Sequence, residues 1–146
     1  MIFIDTNVFL NYLYETPLSD KAEKIFGMRE LCISGIEINE TLFVIARTKV
    51  FNKLNIKNIR DFRKYISKNG YSFCERDFKE FYNLLDSTRI EIFQDKLDKE
   101  DFILSMKKYK LLPNDALIAA TCKHRRINKI ATFDSDFERV DFLEIN

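Results

Sequence analysis

The chain has 146 residues, of which 46% are hydrophobic and 32% charged, with a net charge of +1 and a pI near 7.6. That length holds one domain with a sizeable core, and that composition excludes a disordered chain. The near-neutral balance lacks the basic bulk of a protein that coats nucleic acid, so gripping a polyanion requires a local patch or a metal.

With only three Gly and two Pro, the sequence has no glycine-rich phosphate loop, which argues against a Rossmann or P-loop nucleotide enzyme. Cys32, Cys74 and Cys122 are widely spaced, form no Cys-x-x-Cys pair, and are expected to be three buried thiols in a reducing compartment. The start has no leader pattern and no apolar run reaches membrane length, so the expected location is cytoplasmic, without membrane attachment.

In chain order, residues 2–4 read as a short buried strand, and Val8, Phe9, Leu10 and Leu13 as a helix that ends before Thr16-Pro17. Ser19 or Asp20 caps a second helix through Phe26. Residues 31–33 form a second apolar run, stopped by Ser34-Gly35 and followed by a strongly apolar helix from 36 to about 50. Residues 57–68 form an amphipathic helix with Ile59, Phe62, Tyr65 and Ile66 on one side. A further helix over 75–85 has Phe78, Phe81, Tyr82 and Leu85 at helical spacing. Residues 89–93 alternate like a strand, and 98–109 form a helix with Phe102, Ile103 and Met106 inward. Pro113-Asn114-Asp115 opens a helix through His124, residues 129–133 make a buried strand ending at Asp134, and 142–145 a last short strand. Strands alternating with helices predict one α/β domain over 1–146, with a mostly parallel sheet of four or five short strands covered on both faces.

Four acids stand in apolar company. Asp5 and Asp134 each follow a short apolar strand, so a parallel sheet delivers both to its carboxyl edge, where open α/β folds place ligands. Asp5 either caps the next helix or points into a site that uses charge. Asp115 lies in the first turn of its helix, where the macrodipole favours an acid by about 0.3–1 kcal/mol, and helix N-termini also face that edge. Glu40 has Ile36, Phe43 and Val44 three and four positions away, so it must be paired, protonated or holding a metal. Glu37 reads as ordinary helix-start charge. Clustered carboxylates repel one another unless a divalent cation intervenes, and an all-oxygen site suits Mg²⁺ or Mn²⁺. His124, the lone histidine, has too few companions for zinc and reads as part of a solvated helix end.

These positions resemble the PIN-domain family of metal-dependent ribonucleases, in particular its VapC-like toxin subgroup. The likeness rests on Ile-Phe-Ile-Asp5-Thr-Asn7, on Asn114-Asp115-Ala-Leu-Ile-Ala-Ala-Thr and on Ala131-Thr-Phe-Asp134-Ser-Asp136-Phe, with Glu40 matching the family's middle acid. Residues 51–110 match only as generic helices. The resemblance implies a PIN-like fold and makes Asp5, Glu40, Asp115 and Asp134 the metal-binding and catalytic quartet. Asn7 and Thr132 match polar positions that support the acids, and Asp136 an acid often present beside them. It implies Mg²⁺- or Mn²⁺-dependent cleavage of single-stranded RNA by metal-activated water. It further implies a toxin that forms a homodimer and is blocked by an antitoxin protein.

Substrate phosphates need a positive rim. Arg47, Lys49 and Lys53 follow the Glu40 helix, and Lys123, Arg125, Arg126 and Lys129 end the Asp115 helix; all also read as solvated helix ends. The tyrosines Tyr65, Tyr71 and Tyr82 read mostly as core. Other functions compete. A haloacid-dehalogenase-type phosphatase needs an Asp where Asn7 stands, and a phosphoryl-receiver domain needs an acidic pair and a mid-chain Asp that are not visible. A ribosomal-RNA-processing nuclease of the same family is one alternative. A non-catalytic RNA-binding or interaction module on the same fold is another, and it would be indifferent to Asp5→Asn.

Overall fold

The computed structural model describes residues 1–54, 56 and 58–146. Five short strands, β1 (Ile2–Ile4), β2 (Leu31–Ser34), β3 (Glu91–Phe93), β4 (Lys129–Ala131) and β5 (Glu144–Ile145), form one sheet in the order β3-β2-β1-β4-β5. Every adjacent pair is parallel, with Phe3 beside Cys32 on one flank and Ile130 on the other. The connections are α1 (Thr6–Leu13), α2 (Ser19–Phe26), α3 (Gly35–Leu54), α4 (Ile59–Asn69), α5 (Glu75–Thr88), α6 (Lys99–Tyr109) and α7 (Pro113–Arg125). Short 3₁₀ turns cover Ser72–Cys74 and Ser135–Arg139.

Strand alternation sorts the core into two layers. Ile4, Ile33 and Ala131 face a cluster with Val8, Phe9, Ile45, Phe62, Phe81 and Leu85, which draws on α1 to α5. Phe3, Cys32 and Ile130 face the other way, onto Ala116, Ile118, Ala119 and Cys122 of α7 and Tyr109 of α6. The central strands are buried on both faces, which is why they read as unbroken apolar runs. The expected α/β sandwich with a parallel sheet is therefore the observed fold, and all three cysteines are free and buried.

Local signals set the helix ends. Asn58 caps α4 through its side chain, which accepts from Asp61 N at 2.9 Å, and Asp98 caps α6 by accepting from Glu100 N and Asp101 N. Pro113 opens α7 at its first position, where a missing N–H costs nothing. Gly70, at φ 64°, ends α4.

Some details differ from the sequence reading. The Glu40 helix runs on to Leu54, and the expected start of the next helix at Lys57 lies outside the described residues. In α6 the inward positions are Ser105 and Tyr109, flanked by half-buried Phe102 and Met106, while Ile103 is 48% exposed. In α5 Leu84 is buried and Tyr82 exposed, and Tyr71 is also exposed, so neither tyrosine belongs to the core. Aromatic and long apolar side chains on two-layer helices can stand at the rim, so helical spacing alone leaves the face ambiguous by one position.

Candidate active site

The chain leaves β1 and turns outward to β2 and β3 on one side, then returns to β4 on the other side of β1. The strand order therefore reverses beside β1, the place where open α/β sheets form their ligand crevice. Asp5 is the first residue past β1, at that reversal. It holds the N-cap position of α1 yet makes no capping bond. Of the two roles open to it, capping is the one the structure does not use.

A polar clasp fixes the Asp5 carboxylate, which is only 8% exposed. Its Oδ2 accepts from Thr132 Oγ1 at 2.6 Å and from Asn7 Nδ2 at 2.5 Å. Asn7 also donates to Thr132 Oγ1 at 3.0 Å, and its Oδ1 accepts from Phe133 N at 3.0 Å. Thr132 Oγ1 in turn accepts from Asp134 N at 3.0 Å. The ends of β1 and β4 are thus sewn together around one carboxylate oxygen. Asn7 and Thr132 both stand beside the acid.

Asp115 reaches the same edge from the first turn of α7, half-buried. Burial pushes its carboxyl up to about 6, with Glu40, Asp134 and Asp136 adding repulsion and Arg139 relieving part of it. Burial likewise raises Asp5 to about 6; the Thr132 bond opposes that shift, while Asp115 and Glu40 reinforce it. Asp5, Glu40 and Asp115 therefore sense one another's charge, and Asp134 and Asp136 join through Asp115. Glu40 is half-buried, and its Oε2 accepts from Asn114 Nδ2 at 3.0 Å. Asp134 is exposed and turned to the 3₁₀ segment, where its Oδ1 accepts from Asp136 N at 2.9 Å. Asp136 pairs with Arg139 at 2.7 Å. As the side chains stand, no three acids among the described residues are close enough to grip one ion together.

The expected cations are more scattered. Lys49 is paired with Asp77, and Arg47 lies over the rings of Phe43 and Phe51. Lys123 pairs with Asp101 at 2.6 Å, and the Arg125 guanidinium lies 4.4 Å from the Phe93 ring centre. Ten residues of helix put the Arg125 backbone roughly 15 Å along the axis from Asp115. Lys123, Arg125 and Arg126 are thus away from the acids.

Three features escaped the sequence reading. Arg139 lies beside the acids, and its only signal is its position three residues after Asp136. Asn114 holds Glu40. Glu37, read as ordinary helix-start charge, is fully buried and bonded to Ser34. The signal was the stripe Glu37, Thr41, Ile45, at four-residue spacing and buried throughout, whereas Phe43, used to infer an inward Glu40, is 41% exposed.

Residues 2–143 match the profile of the PIN domain. Ribonuclease VapC6 of Methanocaldococcus jannaschii is 36% identical, covering 99% of this chain and 95% of the relative. Ribonuclease VapC2 of the same organism is 37% identical over 99% of this chain and 91% of its own. Among solved structures, a chain of FitAB bound to an IR36 DNA fragment superposes with a TM-score of 0.57 at 18% identity, covering 100% of this chain and 94% of that one. A chain of VapBC2 from Rickettsia felis, bound to a DNA fragment from its promoter, gives 0.56 at 18% identity, covering 100% and 98%. These two share the fold. With a profile matched over nearly the whole length and relatives more than a third identical end to end, the chain belongs to the PIN-domain family.

Proposed function

We propose that this protein is a metal-dependent endoribonuclease acting on single-stranded RNA, and that it is the toxin of a toxin–antitoxin pair. The observation that carries the reading is the meeting of Asp5, Glu40 and Asp115 at the sheet's switch point, where burial first, and their mutual repulsion second, leave the Asp5 and Asp115 carboxyls raised to about 6. A site that destabilises its own ionised state needs a positive ligand. Its likeness to ribonucleases VapC6 and VapC2 supports RNA as the substrate class.

The donor set fits Mg²⁺ or Mn²⁺: it is all oxygen, carboxylate-rich and partly open to water. Asp5, Glu40, Asp115 and Asp134 would hold the ion, and Glu40 and Asp134 would turn from Asn114 and the Asp136 amide to do so. When bound, the cation supplies charge neutralisation and activation of water for attack on the phosphodiester. The chain's own contributions are positional. Thr132 and Asn7 occupy one oxygen of Asp5 and leave the direction of the carboxylate fixed. Asn114 donates to Glu40 and holds it at the mouth of the site. Arg139 puts a cation beside the acids, where a substrate phosphate would enter.

For a protein partner, the groove of about 290 Å³ lined by Leu42, Phe43, Ala46, Phe62, Tyr71 and Phe78, with Asn39 as its one polar residue, offers a mostly apolar seat. An antitoxin segment and a second copy of the chain are both proposed as partners. A labelled single-stranded RNA panel incubated with Mg²⁺ or Mn²⁺ tests the enzymatic reading. Cutting that EDTA and Asp5→Asn each abolish is the expected result; equal cutting by Asp5→Asn would contradict it and leave a binding module as the better account.

A further inference from the structure

Ser34 ends β2 with its hydroxyl between two acids. Ser34 Oγ lies 2.8 Å from Glu37 Oε2 and 2.6 Å from Asp95 Oδ1. A hydroxyl has one proton to donate, so both contacts are hydrogen bonds only if one of the carboxyls carries a proton of its own. Asp95 is half-exposed and its Oδ1 also accepts from Ile36 N at 3.3 Å, an arrangement suited to an anion at a helix start. Glu37 is fully buried, its Oε1 has no partner among the described residues, and its Oε2 accepts only from Ser34 N besides the hydroxyl contact. The proton therefore belongs on Glu37.

We propose that Glu37 is a positioning residue: as a neutral acid it donates to Ser34, Ser34 donates to Asp95, and this relay ties the first turn of α3 to the loop after β3, fixing where Glu40 stands one turn on. The consequence for cleavage rests on the reading of Glu40 given above; the relay itself does not.

Two further observations agree. Gly35 sits at the joint, where an added Cβ would lie 2.8 Å from Asp95 Oδ2 and push that carboxylate out of its present place. The groups around Glu37 also disfavour a charge there. Asp5 faces it from the end of β1, Cys32 from β2, Cys122 from α7 and Asp95 from the loop after β3, and no cation is among them. Burial raises the Glu37 carboxyl well above the usual range, with the Ser34 bond opposing and Asp5 reinforcing the shift. A neutral Glu37 keeps a further negative charge from lying beneath Asp5.

Infrared spectroscopy of the full chain at pH 8 tests the proton, because Asp5 and Asp115, at about 6, are then ionised. Wild type should show the carbonyl stretch of a protonated carboxylic acid that Glu37→Gln lacks; identical spectra would overturn the proposal. Should Glu37→Gln fail to fold, carboxyl-carbon NMR of wild type decides alone: one glutamic acid that keeps its proton to pH 8 supports the relay, and titration of every glutamate below pH 6 overturns it. RNA cleavage tests the positioning. Glu37→Gln, whose amide can donate to Ser34, should keep kcat within about threefold, while Glu37→Leu loses about tenfold or more with KM little changed. Equal loss in both variants would overturn a positioning role. A wild type that cuts no RNA would count against the enzymatic reading, while the infrared result still judges the relay.

Discussion

At Asp5 the cost of burying a carboxylate and the use of its charge meet in one side chain. Its position after an apolar strand was visible in the sequence, because a three-residue buried strand has one obvious exit. The clasp was visible only in part: Asn7 is two residues away, but Thr132 comes from the far end of the chain, and only strand pairing brings it close. Glu37 was misread for a different reason: only its four-residue spacing with Thr41 and Ile45 marked it as inward, and Phe43 and Val44 pointed instead to Glu40. The Thr132 bond is the largest influence holding the Asp5 carboxyl down. Thr132→Val should therefore raise that carboxyl further, move the acid limb of the pH–cleavage profile upward and cost about 10–100-fold in cation affinity. An unmoved profile would show that the clasp is dispensable.

Among the elements, the strands and helices were legible in type because apolar runs and helical spacing are sharp over these lengths. Helix faces were less so, because both layers are built from long apolar side chains whose exposure depends on which neighbours arrive, as Ile103 and Tyr82 illustrate. Helix C-termini carry a separate signal. Arg126 closes α7 in the left-handed region at φ 57°, a conformation that strains a residue with a Cβ. Arg126→Gly should stabilise the fold by about 0.5–1 kcal/mol in denaturant unfolding. Because the end of α7 lies far from Asp115, cleavage should be unchanged; a marked rise in KM for RNA would instead make Arg126 a phosphate contact. At the joint between β2 and α3, Gly35→Ala should displace the Asp95 carboxylate and lower kcat with little change in melting temperature, as measured by melting and cleavage of the same preparation.

Across the whole molecule, the parallel sheet brings acids from sequence positions 5, 40, 115 and 134 toward one edge; strand–helix alternation alone predicts this for 5, 115 and 134, and the family resemblance adds 40. The electrostatic consequence is a linkage of stability to pH. An unfolded aspartate titrates near 4, and folded Asp5 at about 6, so between those values the folded chain holds more protons. Stability of the cation-free protein therefore falls as pH rises through that window, by about 3 kcal/mol on account of Asp5, with half-exposed Asp115 adding less. Asp5→Asn escapes that loss, so in EDTA its stability relative to wild type should increase from pH 4 to pH 7, measured by urea unfolding. A constant difference would mean that Asp5 titrates normally.

The central claim is that these carboxylates are assembled to hold a divalent cation. Calorimetric titration of Mn²⁺ into the full chain at pH 8 and pH 5 addresses it most directly. The account predicts binding at pH 8, weakening by about tenfold or more at pH 5 as protons compete for Asp5 and Asp115, and no measurable binding by Asp5→Asn. Affinity that is the same at both pH values and unaffected by Asp5→Asn would contradict it.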